Sequence, residues 1–511
     1  MAALSVMRRY RSKVRADMRD KTLLHEYARL WQLPEWKNRI ALTSVVDNTS
    51  LTYPDLFLRV SKMAGGLRAK GVCSGQLVAV AMERSVDAVV ATLSIMVAGG
   101  CPCPLEPRLT AGEITERLSS VGIAMVLADS ENLAMLQDLK GIGILSTAEV
   151  ACSTPYWSDD IRSEAPGLLL FTSGSTGRPK GVLLSHRGLV NNARGVLSVT
   201  ALTAHDKLLH IMPLYHTNGL NNQLFSPFLI GAQVVLAGRF RAAELPELLE
   251  TYKPSVMTGV PTMYSRMLDL EFSPASLASL RFARCGSAPI TKELHLKIEA
   301  KLGCPLVVSY GLSEATCTST LNPPHKRKVG SIGKALPFQR VFLRSVEGRE
   351  VTEFHTDGEI CIEGDSLMLG YVGTASDGVL EPAPSTLRSG DLGRMDEDGY
   401  FYITGRLKDV IIRGGENISP TLIEQVISAS PDVHSCAVVG CPDEDLGEVP
   451  VAFVVPVQAG FCNEKAIQDI VNAQLSRVYR PEQVIFLEAL PENSIGKVDR
   501  KVLQTYFSSG A

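Results

Sequence analysis

The sequence predicts an α/β protein. It has a large N-terminal domain of parallel-rich sheets with flanking helices, a β-rich subdomain within it, and a small α+β domain at the C-terminal end. Three observations lead there. Up to Gly405, short apolar runs alternate with segments that carry a single apolar helical face, the pattern of parallel strands joined by helical crossovers. Beyond Gly405 the pattern becomes strand, glycine turn, helix start and further strands in quick succession. The 511 residues also exceed what one hydrophobic core usually supports.

Bulk composition narrows the function classes. With 45% hydrophobic and 21% charged residues the chain is ordinarily globular. A net charge of −3 supplies no global field for nucleic acid, and no apolar run approaches a membrane span. The 11 cysteines form no CxxC pair, and Cys101-Pro-Cys103 has poor metal geometry, so reduced thiols in a cytoplasmic protein are expected. Residues 1–20 hold six basic and two acidic side chains, with Val6, Tyr10, Val14 and Met18 at helical spacing. Asp17 and Asp20 suit a targeting presequence poorly, so a surface helix is expected. The oligomeric state is left open between monomer and homodimer.

Taken in order, residues 51–53 read as a short strand entering a helix whose apolar face is Leu56, Val60, Met63, Ala64 and Leu67. A strand at 77–81 precedes a helix with Val86, Val89, Val90, Leu93 and Val97, and another strand follows at 124–127. Between them, 98–107 reads as a turn. Residues 168–171 form a buried strand, and a second apolar run occupies 182–184. The loop between them is Thr172-Ser173-Gly174-Ser175-Thr176-Gly177-Arg178-Pro179-Lys180-Gly181. Its glycines allow close backbone approach, and its hydroxyls, amides and the Lys180 cation make a nest for an oxyanion. It is not a Walker A loop, which requires Gly-Lys followed by Ser or Thr and a helix. A plain hydrophilic turn has no need of Pro-Lys-Gly at its end.

Further strands are expected at 208–212, 255–258, 282–284 and 306–309. Their C-terminal ends carry Pro213-Leu214-Tyr215-His216-Thr217-Asn218-Gly219, Cys285-Gly286-Ser287-Ala288-Pro289 and Tyr310-Gly311-Leu312-Ser313-Glu314-Ala315-Thr316. Residues 326–328 are a short basic run best read as a solvated loop. Residues 358–364 with 370–371 read as a β-hairpin region, followed by Ser389-Gly390-Asp391-Leu392-Gly393. In the last hundred or so residues, enough for a separate core, a strand at 410–412 leads to Gly414-Gly415. Ser419-Pro420 reads as an N-cap with proline at the first helical position. Strands at 436–439, 451–455 and 484–487 and a helix capped by Asn463 complete the unit. Leu490-Pro491-Glu492-Asn493-Ser494-Ile495-Gly496-Lys497-Val498-Asp499-Arg500 follows.

In this order and spacing the segments resemble the adenylate-forming superfamily: acyl-CoA synthetases, carrier-protein adenylation domains and beetle luciferases. The resemblance runs from about Leu51 to Lys501, and the first fifty residues have no evident counterpart. The 98–107 turn resembles the family's AGG..VPLDP, 310–314 its YGxTE with Ser313 for Thr, and 389–391 its TGD with Ser389 for Thr. The resemblance implies two units, 1–405 and a mobile lid, 406–511. It implies ATP, Mg²⁺ and coenzyme A as ligands. Thr172, Ser173, Gly174, Ser175, Thr176, Gly177 and Lys180 would surround the β and γ phosphates. Ser287, Ala288 and Pro289 would line the adenine, with Gly311 and Ser313 nearby. Tyr310 would stack on the purine, Glu314 hold Mg²⁺, and Asp391 and Arg406 bind the ribose.

Catalytic roles are implied for Lys497, which bridges the substrate carboxylate and the α-phosphate, for His216 beside the acid, and for Glu314. Lys408 would be the hinge, and Gly414 and Gly415 would line the thiol tunnel. Amino-acid-activating relatives usually carry Asp where His216 stands, so an α-amino acid substrate is disfavoured. The expected reaction is carboxylate activation to acyl-AMP and transfer to CoA. No carrier-protein sequence follows before Ala511, which favours free CoA. The Gly496–Lys501 stretch, however, is close to the form common in peptide-synthetase domains, so loading of a separate carrier protein stays open. Glu314, Asp391, Arg406 and Lys497 together argue against an inactive ligand sensor. The acid is undetermined: fatty, aryl and short functionalised acids all fit.

Overall fold

A computed structural model describes residues 21–137, 139–150, 154–173, 179–373, 379–458, 462–492 and 498–508. The expected helix within 1–20 lies outside these residues. So do Gly174, Ser175, Thr176 and Gly177 of the phosphate loop, and Lys497.

The described strands form five sheets. The largest has nine strands, and its central six run parallel: Leu306–Tyr310, Phe282–Cys285, Val256–Gly259, Lys207–His210, Gln233–Leu236 and Ile40–Ser44. Short antiparallel strands close its edges. A second, four-stranded parallel sheet contains Cys101–Pro104, Leu77–Ala81, Met125–Ala128 and Gly143–Ser146. Residues 101–104, expected as a turn, are therefore a fully buried strand. Two prolines in four residues hide a strand from propensity arguments, yet the parallel register with 77–80 tolerates them.

Helix starts follow side-chain chemistry. Thr52 caps Tyr53–Ala69 with a reciprocal box: its hydroxyl accepts the Asp55 amide at 3.3 Å, and the Asp55 carboxylate accepts the Thr52 amide at 3.1 Å. Ser185 ends one strand and caps His186–Thr200, accepting the Gly188 amide at 3.0 Å.

The β-rich part is two antiparallel sheets. One orders Glu350–Val351, Gln339–Arg344, Gly358–Gly364, Leu387–Met395 and Phe401–Arg406. The other orders Leu380–Pro382, Gly370–Val372, Pro179–Ser185 and Pro166–Ser173. Residues 358–364 and 370–372 thus belong to different sheets and form no hairpin. The chain leaves the first sheet, the Met368 amide donates to the Glu314 carbonyl at 2.8 Å, and 370–372 then pairs with 181–183.

Residues 22–50, for which the sequence suggested no counterpart, are built into the main core together with Tyr53. Trp31, Tyr27 and Tyr53 are fully buried, Trp31 stacks on Tyr27 at 4.4 Å, and the Tyr53 hydroxyl donates to the Ala232 carbonyl at 2.6 Å. Three buried aromatic side chains whose polar tips reach the carbonyls of Phe225, Phe228 and Ala232 fix this segment to the stretch that leads into the 233–236 strand.

The smaller C-terminal domain has one mixed sheet, Glu416–Ile418, Ile411–Arg413, Gly447–Pro456 and Val433–Asp443, with Gln483–Phe486 parallel to 451–454. Its helices Pro420–Ser428 and Glu464–Gln474 pack Ile423, Ile427, Ile467 and Val471 onto this sheet, forming a core of their own. Asn463 caps the second helix as expected, accepting the Ala466 amide at 2.9 Å. Ser419 does not cap the first. Pro420 stands at the helix start, but the Ser419 hydroxyl donates to the Thr404 carbonyl and so joins the small domain to the large one.

Candidate active site

A pair of neighbouring antiparallel strands, 387–395 and 401–406, meets the C-terminal end of the 306–310 strand of the nine-stranded sheet. Asp391 and Arg406 are direct partners across two antiparallel strands, and Arg406 Nε donates to Asp391 Oδ1 at 2.6 Å. Tyr310, the last residue of the 306–310 strand, donates its hydroxyl to Asp391 Oδ2 at 2.7 Å. Burial, and then the Asp391 charge, push the Tyr310 phenol well above its ordinary pKa, so it remains a neutral donor. Both Asp391 oxygens have a protein partner, yet a carboxylate offers about four lone-pair sites, leaving room to accept two further hydroxyls. The turn bearing Asp391 is itself fixed by Glu359, whose Oε1 accepts the Gly390 amide at 3.0 Å and whose Oε2 accepts Arg388 Nε at 2.6 Å.

The segment after Tyr310 is tightly wound. A Cβ on Gly311 would lie 1.7 Å from the Cys317 carbonyl oxygen, so only glycine allows this backbone approach. Thr316 is held at φ 68° with its hydroxyl donating to the Ser366 carbonyl at 2.6 Å. The result is a half-buried Glu314 in a single helical turn, 313–315, beside Ser313. Tyr371 donates to Glu314 Oε1 at 2.9 Å, and Lys180 Nζ lies 5.2 Å from the centre of the Tyr371 ring. Glu314, Tyr371 and Lys180 therefore form one row, although no motif pointed to Tyr371. The other Glu314 oxygen carries no hydrogen bond from a described residue. A single oriented carboxylate with a free oxygen suits Mg²⁺, which takes one or two carboxylates and completes its shell with water and phosphate oxygens.

Thr172 pairs with Lys180 in an antiparallel register, so residues 166–173 and 179–185 are paired antiparallel strands on either side of 174–178. This differs from the strand-to-helix setting of a Walker A loop. Ser287, Ala288 and Pro289 follow the 282–285 strand directly. Ser287 lies in the left-handed region at φ 68°, a conformation non-glycine residues keep only where their surroundings enforce it. His216 lies beside Tyr215, ring centroids 4.6 Å apart, and its carbonyl accepts the Leu220 amide at 3.2 Å at the start of a wide helical segment, Asn218–Phe225.

Lys408 is exposed in the 3₁₀ turn Leu407–Asp409. Gly414 and Gly415, at φ 58° and 86°, form a two-residue turn between Ile411–Arg413 and Glu416–Ile418, the positive-φ pair of a type I′ hairpin. Both are exposed, some distance along the chain from the Tyr310–Asp391–Arg406 group. Lys497 lies outside the described residues, but its flanks do not: Glu492 and Val498 form an antiparallel bridge, and Arg266 Nη2 donates to Glu492 Oε2 at 3.2 Å. The two ends of the lysine loop are thereby held against the large domain just after helix Pro261–Ser265.

The sequence model for AMP-binding enzymes matches residues 30–372, and that for the C-terminal domain of AMP-binding enzymes matches 422–497. The chain belongs to the AMP-binding enzyme family. Its relatives include a sulfoacetate–CoA ligase of Cupriavidus necator, 32% identical over 484 residues that cover 91% of this chain and 94% of that one. A long-chain-fatty-acid–CoA ligase, FadD13, of Mycobacterium tuberculosis is 31% identical, covering 90% and 93%. The crystal structure of ATP-bound MatB from Rhodopseudomonas palustris superimposes with a TM-score of 0.86 at 29% identity, covering 95% of this chain and 99% of that one. Family membership begins at residue 30, earlier than the sequence motifs suggested, in keeping with the buried Trp31 and Tyr53. The protein is an AMP-forming acid–thiol ligase. Among the described residues no helix is long and apolar enough to cross a membrane.

Proposed function

We propose that this ligase joins a carboxylic acid to coenzyme A in two half-reactions, with residues 1–405 as the body and 406–511 as a lid. The reading rests on the meeting of Tyr310, Asp391 and Arg406, three residues from separate segments grouped as a nucleoside site requires. Asp391 accepts the two ribose hydroxyls, Arg406 steadies it, and Tyr310 offers its ring to the purine beside Ser287, Ala288 and Pro289. Lys180 and the loop through Thr172 and Ser173 hold the terminal phosphates. Glu314 would hold a magnesium ion there, which would offset charge on the phosphates.

In the first half-reaction a carboxylate oxygen attacks the α-phosphorus and the bond to pyrophosphate breaks. Two anions must meet, so the cation of Lys497 bridges them while His216 lines the acid. In the second, the thiol loses its proton to solvent, its sulfur bonds to the acyl carbon, and AMP leaves. Rotation about Lys408 would carry Lys497 away and bring Gly414 and Gly415 to the thiol. The names of relatives as CoA ligases support CoA over a carrier-protein thiol, and the reduced cysteines suit a cytoplasmic setting. Those names range from sulfoacetate to long-chain fatty acid at nearly equal identity, so they do not choose the acid.

The test is pyrophosphate release from ATP by purified protein over a panel of acids, with and without CoA. Acid-dependent pyrophosphate and CoA consumption are expected. Pyrophosphate without CoA consumption, restored by a phosphopantetheinyl carrier, would assign the carrier-loading role instead.

A further inference from the structure

Arg284 is buried more deeply than almost any other charged residue, with 2% of its surface exposed, and it stands in the middle of the nine-stranded sheet. In the parallel register it pairs with Thr258, and Thr258 falls opposite His210 one step beyond the Met257–Leu209 pair. His210, Thr258 and Arg284 thus make a polar row on one face, at the C-terminal ends of three adjacent parallel strands. Below it on the same face, Leu208, Val256 and Phe282 share an apolar cluster. Ligands of open parallel sheets are received at this edge.

Among the described residues nothing answers the Arg284 charge. It forms no ion pair with any of them, and the titratable groups near it are Cys317 and Tyr264, both kept neutral by burial. Burial lowers the guanidinium to a pKa of about 10, so it stays charged at neutral pH. Its Nε and Nη2 are both buried and have no hydrogen-bond partner among the described residues. These two donors form one edge of the guanidinium plane, and their N–H bonds lie parallel, the arrangement that grips two oxygens of one anion side by side. A buried cation with its paired donors unfilled is costly unless a ligand completes it.

The surroundings connect this group to the acid side of the site. Cys317, which faces Arg284, accepts a hydrogen bond from Asn222 Nδ2 at 3.1 Å and another from Thr217, the residue after His216. The Tyr264 hydroxyl donates to the Arg284 backbone carbonyl at 2.6 Å and so fixes the strand that carries the guanidinium. Arg284 and Thr217 thus share Cys317 as a neighbour, so an acid lined by His216 need extend only a short way to meet the guanidinium.

Resting on the ligase reading above, we propose that Arg284 binds a second anionic group of the substrate through Nε–H and Nη2–H, so that the enzyme selects short acids carrying an additional carboxylate or sulfonate. The orphaned donors also supply rejection. An acid of the same length ending in a methyl group leaves the guanidinium buried and unpaired, and sites built around such groups discriminate strongly.

The test compares pairs of acids of matched length, malonate and sulfoacetate against butyrate, and succinate and 3-sulfopropionate against valerate, by kcat/KM for pyrophosphate release. The wild-type enzyme is expected to prefer the doubly anionic member by at least about 100-fold, equivalent to about 2.7 kcal/mol. Arg284→Met, close in volume and neutral, should bring that ratio near 1. Arg284→Lys, which keeps the charge without the paired donors, should fall between. Whether carboxylate or sulfonate wins identifies the group that Arg284 receives. Wild-type preference for butyrate and valerate overturns the proposal while leaving the ligase intact. Arg284→Met variants that lose both classes equally, with an unchanged melting temperature, also overturn it. Failure to release pyrophosphate with any acid would instead overturn the ligase reading itself. The wild-type comparison decides the matter even if Arg284→Met does not fold.

Discussion

Asp391 and Arg406 are set opposite each other by strand register, and the 2.6 Å bond between them joins two strands of a local β-ladder at the proposed nucleoside site. Arg406 keeps half its side chain exposed while Asp391 is almost wholly buried, so the pair contributes little stability, below about 1 kcal/mol. Its value is positional. Asp391→Asn should therefore raise the KM for ATP by roughly ten- to a hundredfold, the loss of hydrogen bonds to a charged acceptor. The melting temperature should move little. A large drop in stability with unchanged KM would assign the pair to structure.

The Tyr371–Glu314 contact predicts an effect on magnesium dependence. Removing the hydroxyl in Tyr371→Phe frees the carboxylate to rotate, and partners that orient a metal ligand are commonly worth tenfold or more in affinity. Half-saturation by Mg²⁺ should rise about tenfold in Tyr371→Phe and further in Glu314→Gln, where a neutral amide is a poorer ligand for a hard cation. Superimposable magnesium titrations for wild type and Glu314→Gln would remove Glu314 from the metal site.

These contacts show where sequence reasoning stops. Tyr310, Glu314 and Asp391 were legible because each lies in a contiguous motif whose residue types carry their own chemistry. The parallel sheet was legible because strand and helix periods differ. Tyr371 was not, because its partner depends on the chain crossing from one sheet to another after 358–364. Ser419 looked like a helix cap and makes a tertiary bond to Thr404, a choice between two acceptors that only the docked domain decides. Arg284 could be read as a strand residue, but the want of a partner is a property of Cys317, Tyr264 and Thr258 around it.

Acid sensitivity follows from His186. Burial, aided by His25, lowers its pKa to about 4, and its Nδ1 is buried without a partner. The unfolded chain binds a proton near pH 6.5 while the folded chain does not, so stability is greater above pH 6.5 and falls as pH drops toward 4. This group alone should cost about 2 kcal/mol between pH 7 and pH 5. His210, also held neutral by burial and by Arg84, acts in the same direction. Urea unfolding of His186→Gln should show a pH 7 to pH 5 loss smaller by that amount. Parallel wild-type and variant curves would mean that His186 is already protonated in the folded protein.

The last prediction concerns the hinge. Lys408 is exposed in a 3₁₀ turn between Arg406, which reaches Asp391, and the 411–413 strand of the small domain. Proline's φ near −65° falls within the 3₁₀ range, so Lys408→Pro should favour the arrangement seen here, at some cost from crowding Leu407. In this arrangement Arg266 and Glu492 hold the ends of the lysine loop to the large domain, and Ser419 is bonded to Thr404. With the residues that flank Lys497 in sequence held there, pyrophosphate release should survive in Lys408→Pro while thioester formation falls by orders of magnitude. Lys408→Ala keeps backbone freedom and should leave both half-reactions nearly intact. Were Lys408→Ala as damaging as Lys408→Pro, the ammonium group itself would be taking part, and rotation about this residue would not explain the second half-reaction.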